Sequence, residues 1–272
     1  MGEERKAKHE KQTSHHEGGN AVQVFVIANQ KGGIGKTTTA TALSSILSAK
    51  GWHTLLIDAD RQGNSTDTFQ AAIEGQATLY DLLLEKPPVP IEACIQHFPA
   101  GDIIAADPLL RKADEILTGD VEGLYRLSDA LSVLSGYDAV VIDTAPTINS
   151  LLHNALIAAT DVIIPVTADR YALQGLSQLY ETIQAVKRRQ NPTMRIAGLL
   201  LVKFSRRTNL SKEVQESLTR IAEQMETRLF SVSIRECVKV REAQAVRKPL
   251  LDYDAQCTAA QDYLAFVEEL LQ

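Results

Sequence analysis

Val22-Gln23-Val24-Phe25-Val26-Ile27-Ala28-Asn29-Gln30-Lys31-Gly32-Gly33-Ile34-Gly35-Lys36-Thr37-Thr38 is the stretch that decides the fold. Its first seven residues are a short, mostly β-branched and apolar run, which reads as one buried strand ending at Asn29-Gln30. A glycine-rich turn follows. Helical spacing then sets in from Thr37 to Lys50 (Ala40, Leu43, Ile46, Leu47), with Gly51 placed as a C-cap. Strand, glycine turn and helix in that order make a phosphate cradle. Gly32, Gly33 and Gly35 let the backbone curl until its N–H groups point at anionic oxygens, and the helix start adds the positive end of its dipole. Lys36 offers an ammonium to the β and γ phosphates, and the Thr37 hydroxyl is placed to ligate Mg2+. The segment Lys31, Gly32, Gly33, Ile34, Gly35, Lys36, Thr37 and Thr38 is therefore the expected site for ATP. The usual spacing GxxxxGK[ST] wants a glycine at position 30. Gln30 stands there instead, and a second lysine, Lys31, guards the loop mouth.

Working outward, the same short apolar runs recur at 54–58, 103–106, 139–143, 162–166, 196–202 and 229–233. Helical patterns fall between most of them, around 108–117, 120–135, 148–158, 171–189, 208–227 and 255–271. Near-continuous apolar strands alternating with amphipathic helices predict an α/β fold: a mostly parallel twisted sheet with helices on both faces. Residues 1–20 are charged, His-rich and short of large apolar side chains, so they read as a flexible tail before a P-loop domain at 21–272.

The bulk composition excludes several classes. With 44% apolar and 23% charged residues the chain has the make-up of an ordinary globular protein. No run approaches the roughly 20 apolar residues of a membrane span, and the N-terminus lacks the apolar core of a secretory signal. A cytoplasmic location is expected. Cys94, Cys237 and Cys257 are odd in number and far apart in sequence, so they predict neither a disulfide framework nor a metal pair. They read as small, reduced, mostly buried side chains.

Lys31-Gly32-Gly33-Ile34-Gly35-Lys36-Thr37 resembles the KGGxGKT loop of the ParA/MinD family of deviant Walker ATPases. Further segments resemble the family in the right order. Asp58-Ala59-Asp60-Arg61-Gln62-Gly63-Asn64 is similar to its DxDPQGN segment, with Arg61 at the proline. Tyr137 to Pro146 is similar to its Walker B stretch, with Ala145 at the first of two prolines. Pro165 to Gly175, Gly198-Leu199-Leu200-Leu201, Arg207 to Ser211, and Glu242-Ala243 with Lys248 to Asp254 also match, the last with Arg247 where the family has glycine.

The resemblance implies roles residue by residue. Lys36 and the loop amides would neutralise the triphosphate. Thr37 would hold Mg2+, with Asp143 acting through a metal-bound water and Asp58 supporting the metal shell. Asp60 would orient or deprotonate the attacking water, so the catalytic set is Lys31, Lys36 and Asp60. Strand alternation carried past Asp58 would put Asp58 and Asp60 on one side. Lys31 would reach across a face-to-face homodimer to the partner's nucleotide, coupling ATP occupancy to self-association.

Charge narrows the choice within the family. Residues 187–248 hold 15 Lys or Arg against 6 Glu, a local +9 in a chain whose net charge is −6. Arg206, Arg207, Arg235, Lys239, Arg241, Arg247 and Lys248 are the candidate DNA contacts; Arg235, Lys239 and Arg241 are expected on one helix, with Arg235 and Lys239 on a shared face. The tail 255–272 is amphipathic but acidic, so packing on the core is expected rather than insertion into anionic lipid. The expectation is a nucleoid-associated partition ATPase that binds DNA without sequence readout and works with a ParB-like centromere-binding protein. The rivals are a MinD-like spatial regulator on a membrane or protein array and a nucleotide-gated adaptor.

Overall fold

Alternate residues of each central strand feed two different cores. Val24 and Val26 pack with Leu55, Ile57, Val140, Ile142, Val162 and Ile164 on one face of a sheet. Phe25 and Ile27 pack with Leu56, Val141 and Ile163 on the other. This period of two, with both sets apolar, is what a strand covered by helices on each side requires. The computed structural model describes residues 22–120, 122–168, 172–204 and 210–272.

In chain order the elements are β1 (Gln23–Ile27), α1 (Lys36–Ala49), β2 (Thr54–Ala59), α2 (Asn64–Phe69), α3 (Leu79–Leu84), α4 (Ile91–Cys94), β3 (Ile95–Gln96) and β4 (Asp102–Ile104). A 3-10 turn at Pro108–Lys112 leads into α5 (Ala113–Thr118), α6 (Arg126–Ser132), β5 (Ala139–Thr144), α7 (Ser150–Ala158), β6 (Asp161–Thr167) and α8 (Ala172–Arg189). The chain continues through β7 (Arg195–Val202), α9 (Leu210–Gln224), α10 (Val238–Ala245), α11 (Leu250–Asp254) and α12 (Thr258–Leu270). The sheet order is β3-β4-β2-β5-β1-β6-β7, parallel except for the two-residue edge strand β3. The sheet runs in both directions from β1, so the turn after β1 opens at a topological switch point, where parallel α/β sheets bind ligands.

α1 and α12 cover the second face. α12 buries Ala259, Ala260, Tyr263, Phe266 and Val267, and the Tyr263 hydroxyl meets Thr39 Oγ1 at 3.0 Å. Its apolar stripe is thus spent on the core, as its acidic composition led us to expect.

Two local expectations change. Residues 229–233 do not form a strand. They run beside β7 through a single bridge, Leu199 to Leu229, and Phe230 lies over Gly198, where a Cβ would sit 2.6 Å from the ring. The helix expected at 120–135 shortens to α6. Helices α2, α3, α4, α10 and α11 and strand β3 are shorter than the windows in which periodicity shows. The expected tail 1–20 lies outside the described residues.

Candidate nucleotide site

The loop from Asn29 to Lys36 joins β1 to α1 at the sheet's C-terminal edge. Gly33 and Gly35 have φ of 70° and 100°, the left-handed region that a side chain disfavours. Asn29 braces the entry: its amide donates to Pro165 O at 2.8 Å and its Oδ1 accepts from Lys31 N at 3.0 Å. Lys36 is buried at 7% exposure and donates to Lys31 O at 3.2 Å. Burial pushes its ammonium below the ordinary lysine range, while Asp143 and Asp60 pull it back up. Lys31 Nζ lies 3.4 Å from Thr167 Oγ1 at the end of β6.

Beside the loop, β2 and β5 bring two carboxylates into register: Asp58 pairs with Asp143, and both are fully buried. The short helix α2 clamps them. Ser65 Oγ donates to Asp143 Oδ2 at 2.8 Å, and Thr66 donates to Asp58 Oδ2 from both its amide and its hydroxyl at 2.8 Å. Burial, then the neighbouring Asp143, raises the Asp58 carboxyl to about 7. Burial also raises Asp143, to about 6, against hydrogen bonds from Thr37 and Ser65.

Asp58 and Asp60 do not act as a pair on one side. The strand ends at Ala59, and Asp58 Oδ1 accepts from Asp60 N at 3.2 Å, while Asp60 turns to the cleft and caps Gln62 N at 3.0 Å. Expected in a metal shell, Asp58 lies off the cleft wall with both oxygens already engaged.

A cation fits this corner through other groups. Asp143 Oδ1 is buried and has no hydrogen-bond partner among the described residues, and Thr37 lines the cleft close enough to Asp143 to lower its carboxyl. These are hard oxygen donors of the kind Mg2+ takes when phosphates and waters complete its shell.

The cleft itself measures about 730 Å³, within the range of nucleotide-sized sites. The loop from Gly32 to Thr38 forms its floor and Asp60 one side; Val202, Lys203, Ile234, Cys237, Val240 and Gln244 form the opposite wall. That wall was not read from the sequence. Lys203 donates to Gly33 O at 2.6 Å, and Gln244 Nε2 lies 3.4 Å from Thr38 Oγ1. Lys203 alone left a trace, as a lone lysine ending an apolar strand.

The basic candidates separate. Arg235 precedes α10, so it shares no helix face with Lys239; it borders the cleft and its guanidinium is tied to Asp262 at 2.7 and 2.8 Å. Lys239 pairs with Glu242 at 2.8 Å and Arg247 with Asp67 at 2.7 Å. Arg241 and Lys248 are exposed and have no acidic partner among the described residues. Arg206 and Arg207 lie outside the described residues. Arg247 has φ 55°, in the left-handed region that favours glycine.

The family model described as "AAA domain" matches residues 22–196. The chromosome partitioning protein ParA of Caulobacter vibrioides is 38% identical over 256 residues, covering 93% of this chain and 95% of that one. This chain belongs to the ParA/MinD family of P-loop ATPases. The sporulation initiation inhibitor protein Soj of Bacillus subtilis is 34% identical over 252 residues, 91% of this chain and 98% of that protein. Among solved structures, cobyrinic acid a,c-diamide synthase from Mycobacterium smegmatis with bound ADP and magnesium superposes with a TM-score of 0.79 at 28% identity, covering 92% of this chain and 94% of that chain. The fold is thus one that holds nucleotide with Mg2+. No helix among the described residues is long and apolar enough to cross a membrane.

Proposed function

We propose that this chain is a partition ATPase that dimerises when ATP fills the cleft, binds DNA without sequence readout, and hydrolyses ATP slowly to segregate a plasmid or chromosome. The observation that carries this is a second lysine, Lys31, at the mouth of a phosphate loop in a chain that aligns over nine-tenths of its length with ParA.

The loop amides and Lys36 receive the β and γ phosphates. A phosphate in the loop would displace the Lys36–Lys31 and Lys203–Gly33 contacts, which now satisfy each ammonium on loop carbonyls. Bound Mg2+, held by Thr37 and through water by Asp143, would neutralise charge on the transferring phosphoryl group. Asp60 orients the attacking water and accepts its proton. Its carboxylate is fixed in place by the hydrogen bond it accepts from the Gln62 amide, and turnover is expected to be slow. Lys31 leaves Thr167 to meet the nucleotide of the facing copy.

Dimerisation doubles the basic surface. Arg241 and Lys248, with Arg206 and Arg207, are the side chains we assign to DNA phosphates. A ParB-like centromere-binding protein is the partner that would trigger release, and the protein would sit on the nucleoid. The buried apolar face of α12 favours this reading over membrane attachment.

The test is a DNA-binding titration with ATP, with ADP and without nucleotide, at two salt concentrations. Salt-sensitive retention in ATP alone supports the proposal. Retention indifferent to nucleotide, or ATP-dependent binding to anionic liposomes, contradicts it.

A further inference from the structure

The chain leaves β7 at a strained residue. Leu199, Leu200, Leu201 and Val202 alternate between the two cores, and all four are buried. Next comes Lys203 with φ 53°, in the left-handed region that a side chain disfavours. Alternation breaks there. Phe204 packs in the same cluster as Leu199 and Leu201, whereas an unbroken strand would turn it to the other face. Neighbouring backbone holds the bend: Phe204 N donates to Ile234 O at 2.9 Å, and Glu236 N donates to Phe204 O at 3.2 Å.

Packing does not explain why a lysine stands in this conformation. Lys203 is exposed, so no apolar burial offsets the strain. Its side chain instead lines the nucleotide cleft, where Nζ donates to Gly33 O at 2.6 Å. The other lysine lining the cleft, Lys36, already has Asp143 and Asp60 beside it. Lys203 has no acidic partner among the described residues, and the carbonyl it touches carries no net charge. A backbone outlier that aims an uncompensated cation into a ligand cleft points to a part in binding. An ammonium gains more from an anionic oxygen than from a neutral carbonyl, and its flexible four-carbon stem lets it move between them.

We propose that Lys203 is a phosphate-binding residue of the cleft, one that reaches a nucleoside di- or triphosphate from the wall facing Asp60. This rests on the nucleotide reading of the cleft. In the empty site the ammonium is parked on Gly33 O. When the nucleotide enters, it passes to an anionic phosphate oxygen, so Lys36 acts from the loop and Lys203 from the end of β7. The contact is made within one copy of the chain. It therefore serves ADP as well as ATP, unlike the reach of Lys31 to a facing copy. By this means the cleft favours polyphosphates over the bare nucleoside.

The experiment is calorimetry of MgADP binding to the full chain, comparing wild type, Lys203→Met and Lys203→Arg at low and high salt. Lys203→Met keeps the length and the apolar stem and removes only the charge. Because the side chain is exposed, this variant should melt with wild type when unliganded. Its MgADP affinity should fall by about tenfold or more at low salt, the loss expected for a hydrogen bond to a charged group. The deficit should narrow at high salt, where charge is screened. Lys203→Arg should recover most of the affinity. Magnesium pyrophosphate, which lacks base and sugar, should show the same loss in Lys203→Met. Wild-type affinity in Lys203→Met overturns the proposal. So does a deficit that is equal at both salt concentrations or absent with pyrophosphate, because the side chain would then act through packing or loop shape. Wild-type protein that binds no MgADP would sink the nucleotide reading and this assignment with it, whereas the variant outcomes sink Lys203 alone.

Discussion

Asp58 and Asp143 are register partners at the C-terminal ends of β2 and β5, and neither exposes any surface. Two carboxylates so placed cannot both ionise cheaply in a dry interior. Desolvation raises both; the Asp143 charge raises Asp58 further, and the Asp60 charge raises Asp143. The α2 hydroxyls of Ser65 and Thr66, donated to these same carboxylates, keep the pair from leaving the fold altogether.

This pair makes the stability of the nucleotide-free protein depend on pH. The folded Asp58 titrates at about 7 and Asp143 at about 6, against an unfolded value of 3.8. Between those limits the folded state holds more protons than the unfolded one, so this contribution falls as pH rises from about 4 to about 7 and is level beyond. Asp58→Asn removes one charge of the pair. Its melting temperature relative to wild type should therefore climb between pH 5 and pH 7.5 in metal-free buffer, by about 2–4 °C per kcal/mol. A difference that is constant with pH would refute the coupled pair.

The phosphate loop depends on backbone shape as well as charge. Among the described residues, and leaving out the chain neighbours, no atom lies within 4 Å of a Cβ built on Gly33 or Gly35, so the cost of an alanine there is conformational rather than steric. Gly35→Ala should lower stability by about 1–2 kcal/mol and weaken ADP binding. Lys36→Ala should nearly abolish binding of ATP. Calorimetry reads both, and near-native ATP affinity in Lys36→Ala would contradict the cradle.

Asp60 faces the cleft while Asp58 does not, so the two substitutions should separate. Asp60→Ala should cut steady-state turnover by about 10²-fold or more, with ATP affinity retained. Phosphate release unchanged in that variant would remove Asp60 from the reaction.

Ion pairing divides the basic surface in the same way. Arg235 is committed to Asp262, whereas Arg241 and Lys248 are unpaired among the described residues. Arg241→Glu with Lys248→Glu should therefore depress ATP-dependent DNA retention more than Arg235→Ala does. Its log affinity against log salt should flatten by about 0.9 for each DNA phosphate that the variant no longer neutralises. Equal weakening in the two variants would mean that pairing does not decide which cations reach DNA.

The sheet and the loop were legible because their signals are local. A buried strand, three glycines and a helix are contiguous from Val22 to Lys50, and each central strand carries an unbroken run of three or more apolar residues. The cleft's far wall was not. Lys203, Ile234, Cys237 and Gln244 come from separate elements after β7, and none stands in a pattern that periodicity detects. Asn29, Ser65 and Thr66 were silent for a different reason: small polar residues beside a strand end read as turn residues until their partners, Pro165, Asp143 and Asp58, are known. The basic run misled in one respect. Counting charge over 187–248 gave the sign of the region but could not show that Asp262, outside the window, neutralises Arg235.

The central claim is that a filled cleft joins two copies through Lys31. The direct measurement is the solution mass of the protein by light scattering, with a non-hydrolysable ATP analogue and Mg2+ at saturation, beside the same protein with ADP. The account predicts twice the 29.8 kDa chain mass with the analogue, the single-chain mass with ADP, and the single-chain mass for Lys31→Ala under either condition. A wild-type protein that binds the analogue and still weighs one chain would contradict it.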